Sequence, residues 1–106
     1  MTEQLFSCKG VTVVAIEADG IAATGVSVNL PGTEICIHQV RCALGLILCG
    51  AFSTDFADGK DVPMALFTMP LITDMLERTP KHLNPAALAL GATPEMTGAQ
   101  LMKLFS

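Results

Sequence analysis

Charged side chains are scarce in this chain of 106 residues, where only 15% are Asp, Glu, Lys or Arg. The 6 basic residues are outnumbered by 10 acidic ones, which gives a net charge of −4. Recognition of phosphate backbones needs clustered Lys and Arg, so the composition excludes nucleic acid as the main partner. Disorder is excluded as well, because 51% of the residues are hydrophobic and disordered chains are poor in such residues.

Segments that would direct the chain to a membrane or out of the cell are missing from the sequence. Residues 1–8 have neither the basic start nor the apolar stretch of a secretory signal. The longest apolar run, from Cys42 to Phe52, is about 11 residues long, whereas a membrane-spanning helix needs ~20. We therefore expect a cytoplasmic protein with no membrane partner, in which the 4 cysteines are reduced thiols.

Motifs of common catalytic and calcium sites are also absent. The sequence has no C-x-x-C pair, no glycine-rich phosphate loop, no nucleophile elbow and no HExxH segment. An EF-hand needs acidic residues at alternate positions, but Asp55, Asp58 and Asp61 are three apart, which favours a solvated loop. His82 has no partner nearby in the sequence and is expected at the surface. We predict no cofactor.

A zinc site is the weaker interpretation of the remaining ligand-type residues. Cys36, His38, Cys42 and Cys49 do not have the paired spacing that zinc ligands usually show. Free cysteines are more often buried as small hydrophobic residues. We therefore predict no metal, buried thiols, and a half-exposed His38 on the face of a sheet.

The first half of the chain has the signals of an antiparallel meander over residues 11–39. Asp19-Gly20 is a two-residue hairpin signal, because both residue types tolerate positive φ. Pro31-Gly32 suits the central positions of a type II turn. The run from Gly45 to Cys49 has no alternation and predicts a central strand, 45–49, buried on both faces. A further strand is predicted at Ala65–Thr68.

The last third of the chain predicts helices near 70–78, 85–90 and 98–105. The first would be capped by Thr68, the second by Asn84 and the third by a capping box between Thr97 and Gln100. The segment between the strands, 53–61, is expected to be mainly a loop. The expected fold class is α+β: an antiparallel or mixed sheet from the N-terminal half, with helices from the C-terminal third packed on it. We expect a single domain over 1–106 with its core at about 10–105.

Three short segments have the order and spacing of a known family. They are Val28-Asn29-Leu30-Pro31, the run from Gly45 to Gly50, and Met96-Thr97-Gly98. Over residues 10–105 the chain resembles the YunC-like family, small prokaryotic proteins of unknown function. The resemblance implies a compact sandwich of sheet and helices and brings no substrate, cofactor or catalytic assignment. The chain departs from the family pattern at Ala99-Gln100, where Arg-Glu is frequent, and at 51–54, where an acidic residue is frequent.

Cys49 is the one candidate for catalysis, and Gly50, Thr97 and Gly98 are the candidates for ligand binding. Cys49 ends the buried strand, and Gly50 lets the backbone turn sharply or approach a ligand closely. Free N–H groups at the helix start formed by Thr97 and Gly98 would suit an anion. The competing interpretation of Cys49 is a thiol packed in the core.

Two functions of different kinds remain open. The first is a homo-oligomeric binding or structural module, a dimer or trimer, without chemistry of its own. The second is a small-molecule-binding protein or enzyme with a pocket near Cys49 and Gly50. The first is favoured, because no set of acid, base and nucleophile can be assembled. An interface between copies would also bury part of the abundant apolar side chains, since a small domain buries only a limited share of its surface by itself.

Overall fold

A seven-stranded sheet is the framework of the structure, a computed structural model that describes residues 2–106. The strands lie in the sheet in chain order: β1 (Thr2–Cys8), β2 (Val11–Ala18), β3 (Ile21–Asn29), β4 (Cys36–Arg41), β5 (Leu46–Cys49), β6 (Met64–Phe67) and β7 (His82–Leu83). The helices are α1 (Thr54–Asp58), a 3-10 helix (Ile72–Leu76), α2 (Pro85–Leu90) and α3 (Gly98–Leu104). All neighbouring strands are antiparallel except β5 and β6, which are parallel. The predicted α+β class, a mixed sheet with helices from the C-terminal third, is confirmed.

The predicted meander is confirmed, and its turns have the expected backbone. Asp19 and Gly20 both have positive φ, 53° and 79°, so Ala18 and Ile21 pair directly across the hairpin. Gly32 has φ 77°, the left-handed position that a type II turn requires. The described part of segment 11–39 is all strands and turns. Central strand β5 is also confirmed, between β4 and β6.

Strand β1 was not predicted. It pairs antiparallel with β2 through a second two-residue turn at Lys9 and Gly10, whose φ values are 48° and 87°. Lysine is not a usual residue for positive φ, so the turn gives no signal in the sequence. The pairing also shifts register between Gln4 and Phe6, which breaks the alternation that would mark a strand. The sheet therefore starts with an exposed edge strand.

The helix predicted over 70–78 is wrong in type and extent. A 3-10 helix of five residues, Ile72–Leu76, forms instead, and Thr68 does not cap it. Leu71 is extended, with φ −118° and ψ 146°, and its N–H donates to the Asp74 carboxylate at 2.9 Å. This bond satisfies the N–H of Leu71, as an acidic side chain at the third helical position does in a capping box, and it fixes the helix start at Ile72.

The other two helix predictions are confirmed, with their caps. The Asn84 side chain accepts from the Ala87 N–H at 2.9 Å, and Gly91 closes α2 with φ 111°. Thr97 and Gln100 form the reciprocal capping box at the start of α3. Segment 53–61 contains the short helix α1, which Ser53 caps. No helix in residues 2–106 combines the length and apolar character needed to cross a bilayer.

The two faces of the sheet are covered unequally. On the helix face, the 3-10 helix, α2 and α3 cover the main core, in which Val40, Ile47 and Ala65 lie with Leu101 and Phe105. On the opposite face, a second small cluster joins α1 to β5 and β6 through Ala57, Leu48, Met64 and Leu66. The rest of that face, over β1 to β3, carries the side chains of Phe6, Val11, Val13, Val26 and Val28, which belong to neither cluster. We call these five residues the open face.

Candidate functional site

Cys49 lies at the carboxyl end of β5 and is 5% exposed. It belongs to the main core cluster on the helix face. Its sulfur accepts a hydrogen bond from the backbone N–H of His38, with a distance of 3.3 Å. The strand that was predicted to be central and buried therefore brings a thiol and a histidine next to each other.

His38 is buried, with 5% of its surface exposed, so the prediction of a half-exposed His38 is wrong. Its Nδ1 lies 2.7 Å from the Ser27 hydroxyl, and its Nε2 lies 3.0 Å from the Pro70 carbonyl oxygen. A carbonyl only accepts, so Nε2 carries the proton and Nδ1 accepts from Ser27. Burial is tolerated because both ring nitrogens have partners.

This arrangement decides what Cys49 can do chemically. A cysteine nucleophile is activated by an adjacent base or an electropositive setting. Both nitrogens of the His38 ring are already bonded elsewhere, so the ring does not serve Cys49 as a base. The geometry is that of a packed thiol, and a catalytic role of Cys49 remains a prediction.

Gly50 follows Cys49 at the surface, where two cationic side chains meet the ends of the parallel strands. Lys81 Nζ lies 2.9 Å from the position that a Cβ would take on Gly50. Arg78 Nη1 donates to the Thr68 carbonyl oxygen at 2.7 Å. Because β5 and β6 are parallel and Cys49 pairs with Phe67, their carboxyl ends lie side by side. The absence of a side chain on Gly50 leaves room for Lys81 to lie across this edge.

A cleft of about 510 Å³ lies at the same edge of the sheet. Its walls are formed by the residue that follows β6 and by the segment between the 3-10 helix and β7: Thr68, Glu77, Arg78, Thr79, Pro80 and Lys81. Sequence reasoning reached Gly50 but missed Arg78 and Lys81. The segment 77–81 contains charged residues next to Thr79-Pro80, a pair that by itself indicates only the end of a helix.

The backbone N–H groups at Thr97 and Gly98 are used within the protein. Thr97 N–H donates to the Gln100 side chain at 2.8 Å, and Gly98 N–H donates to the Arg78 carbonyl at 3.0 Å. A Cβ on Gly98 would collide with the backbone of Met75, so this glycine allows α3 to pack closely on the 3-10 helix. Ligand binding by Thr97 and Gly98 remains a prediction that these contacts do not favour. What they do is hold the backbone of Arg78 beside the cleft.

The other thiols are unpaired and differ in exposure. Cys8 is exposed, whereas Cys36 and Cys42 are half-buried. Burial raises the pKa of the Cys42 thiol to about 11. Cys36 accepts a weak bond from the Asn29 amide at 3.8 Å. Within residues 2–106, no three His, Cys, Asp or Glu side chains converge as metal ligands would.

His82 has a partner that sequence reasoning missed. Its Nε2 lies 2.7 Å from the Asp58 carboxylate. Asp58 belongs to α1, which comes before β6 in the chain, whereas His82 belongs to β7, which comes after it. Asp55, Asp58 and Asp61 are all exposed, so the solvated part of the prediction for this segment is confirmed. A separation of 24 positions cannot be read from local spacing, so only the fold reveals the pair.

Comparison with known proteins supports the fold alone. No protein-family profile and no curated protein sequence matches the chain. The chain is similar in structure to a protein of unknown function from Thermoplasma acidophilum, seen in a crystal structure, with a TM-score of 0.79. The two share 13% sequence identity over 95% of this chain and 100% of the other. The likeness shows that this arrangement of sheet and helices occurs in another natural protein.

Proposed function

We propose that the protein is a homo-oligomeric binding or structural module, a dimer that associates through the open face. The observation that carries this proposal is the apolar surface that the helices leave uncovered on β1, β2 and β3. Valine side chains on a sheet are normally covered on the face where they cluster. A second copy of the chain would supply that cover.

The open face is continuous because its residues are in direct register. Val11 pairs with Val28 and Val13 pairs with Val26 across β2 and β3. Phe6 lies opposite Val13 on the neighbouring strand β1 and is 55% exposed. None of these five side chains carries a charge, so an apolar partner surface fits them best.

The size of the open face argues for an interface that includes the edge of the sheet. Three strands spaced ~4.8 Å apart and a few residues long give roughly 200 Å² in projection. A stable interface buries about 800 Å² on each partner. The missing area is available at edge strand β1, where Leu5 is 56% exposed. Two open faces can pack against each other about a twofold axis, with the exposed side chain of Leu5 at the rim of the contact.

A second copy of the chain is a better partner for the open face than an unrelated protein. An exposed, unpaired edge strand is a liability that proteins usually blunt with charge, proline or cover. In β1 the only charged side chain is Glu3, and the edge carries no proline. An identical copy packed on the open face matches apolar surface to apolar surface and also shields the neighbouring edge strand β1.

The small-molecule or enzyme alternative around Cys49 has less support. Cys49 is enclosed in the core cluster, and both nitrogens of the neighbouring His38 ring have other partners.

Membership of the YunC-like family and a cytoplasmic location are also parts of this proposal. In the fold, the family-like segments lie at the end of β3, along β5 and at the start of α3. The reduced thiols expected in the cytoplasm agree with four unpaired cysteines.

The test is the mass of the protein in solution, measured by light scattering on wild type and two matched variants. Val26→Glu places a charge in the open face, and Ala22→Glu places the same charge on the same strand and the same face but outside it. We expect wild type and Ala22→Glu at twice the chain mass of 11.1 kDa, and Val26→Glu at that chain mass.

A mild variant separates loss of association from loss of folding. Val26→Thr keeps the shape of the side chain and adds one hydroxyl, so it should fold and still weaken the dimer. Circular dichroism and thermal melting check that each variant is folded. A wild-type protein that stays at the mass of one chain at high concentration, or a folded Val26→Glu that stays dimeric, contradicts the proposal.

A further inference from the structure

We propose that the cleft at the carboxyl ends of β5 and β6 binds the phosphate group of a small phosphorylated metabolite. This site lies on a different part of the molecule from the open face and does not depend on association. It is formed by residues 77–81 together with Thr68 and Gly50.

The position in the sheet is the first argument. β5 and β6 are the parallel pair in an otherwise antiparallel sheet. Ligands of open sheets bind outside the carboxyl ends of parallel strands, where the chain leaves in different directions and opens a crevice. Here β5 leads into Gly50 and α1, while β6 leads into Thr68 and the 3-10 helix.

The charges are the second argument. The chain has only 6 basic residues, yet Arg78 and Lys81 both line this one cleft. Within residues 2–106, neither makes an ion pair; the pair found there joins His82 to Asp58. Two cations that line the same cleft without an ion-pair partner, on an acidic protein, favour the binding of an anion.

The geometry of the two cations favours phosphate over a carboxylate. Arg78 uses one N–H on the Thr68 carbonyl, which orients the guanidinium and leaves other donors of the planar fork for a ligand. The Lys81 ammonium is held at Gly50. The planar guanidinium of Arg78 and the compact ammonium of Lys81 together match the two negative charges and three oxygens of a phosphate monoester. Thr68 and Thr79 line the same cleft.

The rest of the cleft restricts the class of ligand. It is an open depression of about 510 Å³ whose lining residues are exposed except for Pro80, so a ligand bound there keeps much of its body in solvent. Glu77 lines the cleft as well, and its carboxylate repels a ligand that is anionic throughout. A single phosphate on a body with hydrogen-bond donors fits better than a polyphosphate.

The experiment is a titration followed by NMR on the amides of Gly50, Thr68 and Lys81. Glycerol 1-phosphate and inorganic phosphate are the two probes, with sodium chloride at matched ionic strength as the blank. We expect saturable shifts with both probes and tighter binding of the ester. Equal shifts with chloride overturn the site, and tighter binding of inorganic phosphate overturns the metabolite in favour of the free ion.

Matched variants locate the site. Lys81→Gln removes the charge and keeps most of the side chain, so it should weaken binding about ten- to a hundredfold, the effect of one lost hydrogen bond to a charged group. Lys103→Gln, an exposed lysine on α3, should leave binding within twofold, ~0.4 kcal/mol. Equal effects of the two variants overturn the proposal.

Val26→Glu should bind the ester as wild type does. If this variant, once shown to be folded, loses binding together with the dimer, the claim that one chain holds the complete site is wrong. The proposal of phosphate binding and the proposal of self-association are therefore tested independently.

Discussion

Replacing Asn84 should destabilise the protein more than any other single polar substitution at the helix caps. This side chain is fully buried and uses its whole hydrogen-bonding capacity. Its oxygen accepts from Met64 N–H at 2.8 Å and from Ala87 N–H at 2.9 Å. Its amide donates to the carbonyls of Ala57 at 2.9 Å and Val62 at 2.8 Å. One side chain thus joins β6, α1, the loop after α1 and the start of α2.

The size of the effect follows from these four bonds. Each buried hydrogen bond contributes about 0.5–1.5 kcal/mol net, and a partner left unpaired costs more. Asn84→Ala removes four bonds, so the summed loss is about 2–6 kcal/mol. Water entering the space would recover part of it, and we expect about 3 kcal/mol. For a domain of this size, that lowers the melting temperature by more than ~10 °C.

The assay is urea unfolding of wild type, Asn84→Ala, Asn84→Asp and Asn29→Ala. Asn29→Ala is the matched control, because its amide bonds to carbonyls of the exposed turn at Thr33 and Ile35 and only weakly to the Cys36 sulfur at 3.8 Å. Asn84→Asp keeps both acceptor bonds but turns the donor into an oxygen that faces two carbonyls. Burial beside these carbonyls raises the pKa of the introduced carboxyl above its unfolded value, so this variant should gain stability as the pH falls. A loss under ~1 kcal/mol for Asn84→Ala would refute the reasoning.

Three further predictions concern a cap and two thiols. Thr97→Ala removes the hydroxyl that accepts from Gln100 N–H and should cost ~0.5–2 kcal/mol in urea unfolding; an unchanged midpoint would show that the cap contributes nothing. Cys49→Ser places a hydroxyl among core residues and should cost ~1–3 kcal/mol, whereas a stable variant would show that the position is not dry. Because burial raises the pKa of Cys42 from 9.0 to about 11, its alkylation in mild base should be far slower than that of exposed Cys8, as mass spectrometry of the labelled peptides would show. The raised pKa favours the neutral thiol in the folded state, so the contribution of Cys42 to stability should fall as the pH rises from 9.0 to about 11.

The parts of the fold that the sequence predicts are those with strong local chemistry. Asp19-Gly20 predicts its hairpin because both residues accept positive φ, and they adopt it. Asn84 and Thr97 predict helix starts because their side chains replace missing backbone partners, and both caps form. The run from Gly45 to Cys49 predicts a strand covered on both faces because it has no polar side, and the structure places Ile47 in the main core and Leu48 in the second cluster.

The parts that escaped prediction depend on contacts between distant residues. β1 forms because β2 offers an edge, not because residues 2–8 have a strand pattern. The helix expected over 70–78 is a local exception: it begins only at Ile72, where the Asp74 carboxylate bonds to the backbone of Leu71, and it extends for five residues as a 3-10 helix. His38 is buried because Ser27 and Pro70, far apart in the chain, occupy its two nitrogens.

Of the residues around the cleft, the sequence predicts only Gly50 as a candidate for ligand binding. Gly50 was identified because a glycine after a buried strand permits close approach, and Lys81 lies against it. Arg78 and Lys81 come from a segment about thirty residues further along the chain. The contact of Lys81 with Gly50 requires the parallel pairing of β5 and β6, which no local pattern specifies.

Hydrogen exchange of the β1–β3 segment at low and high protein concentration tests the central claim most directly, because it reports where two copies meet. If the open face and edge strand β1 form the interface, exchange in residues 2–30 slows as concentration rises, while exchange in α2 and α3 does not change. The Val26→Glu variant should show no such slowing. Exchange in residues 2–30 that is the same at all concentrations, or slowing confined to the helices, would contradict the account.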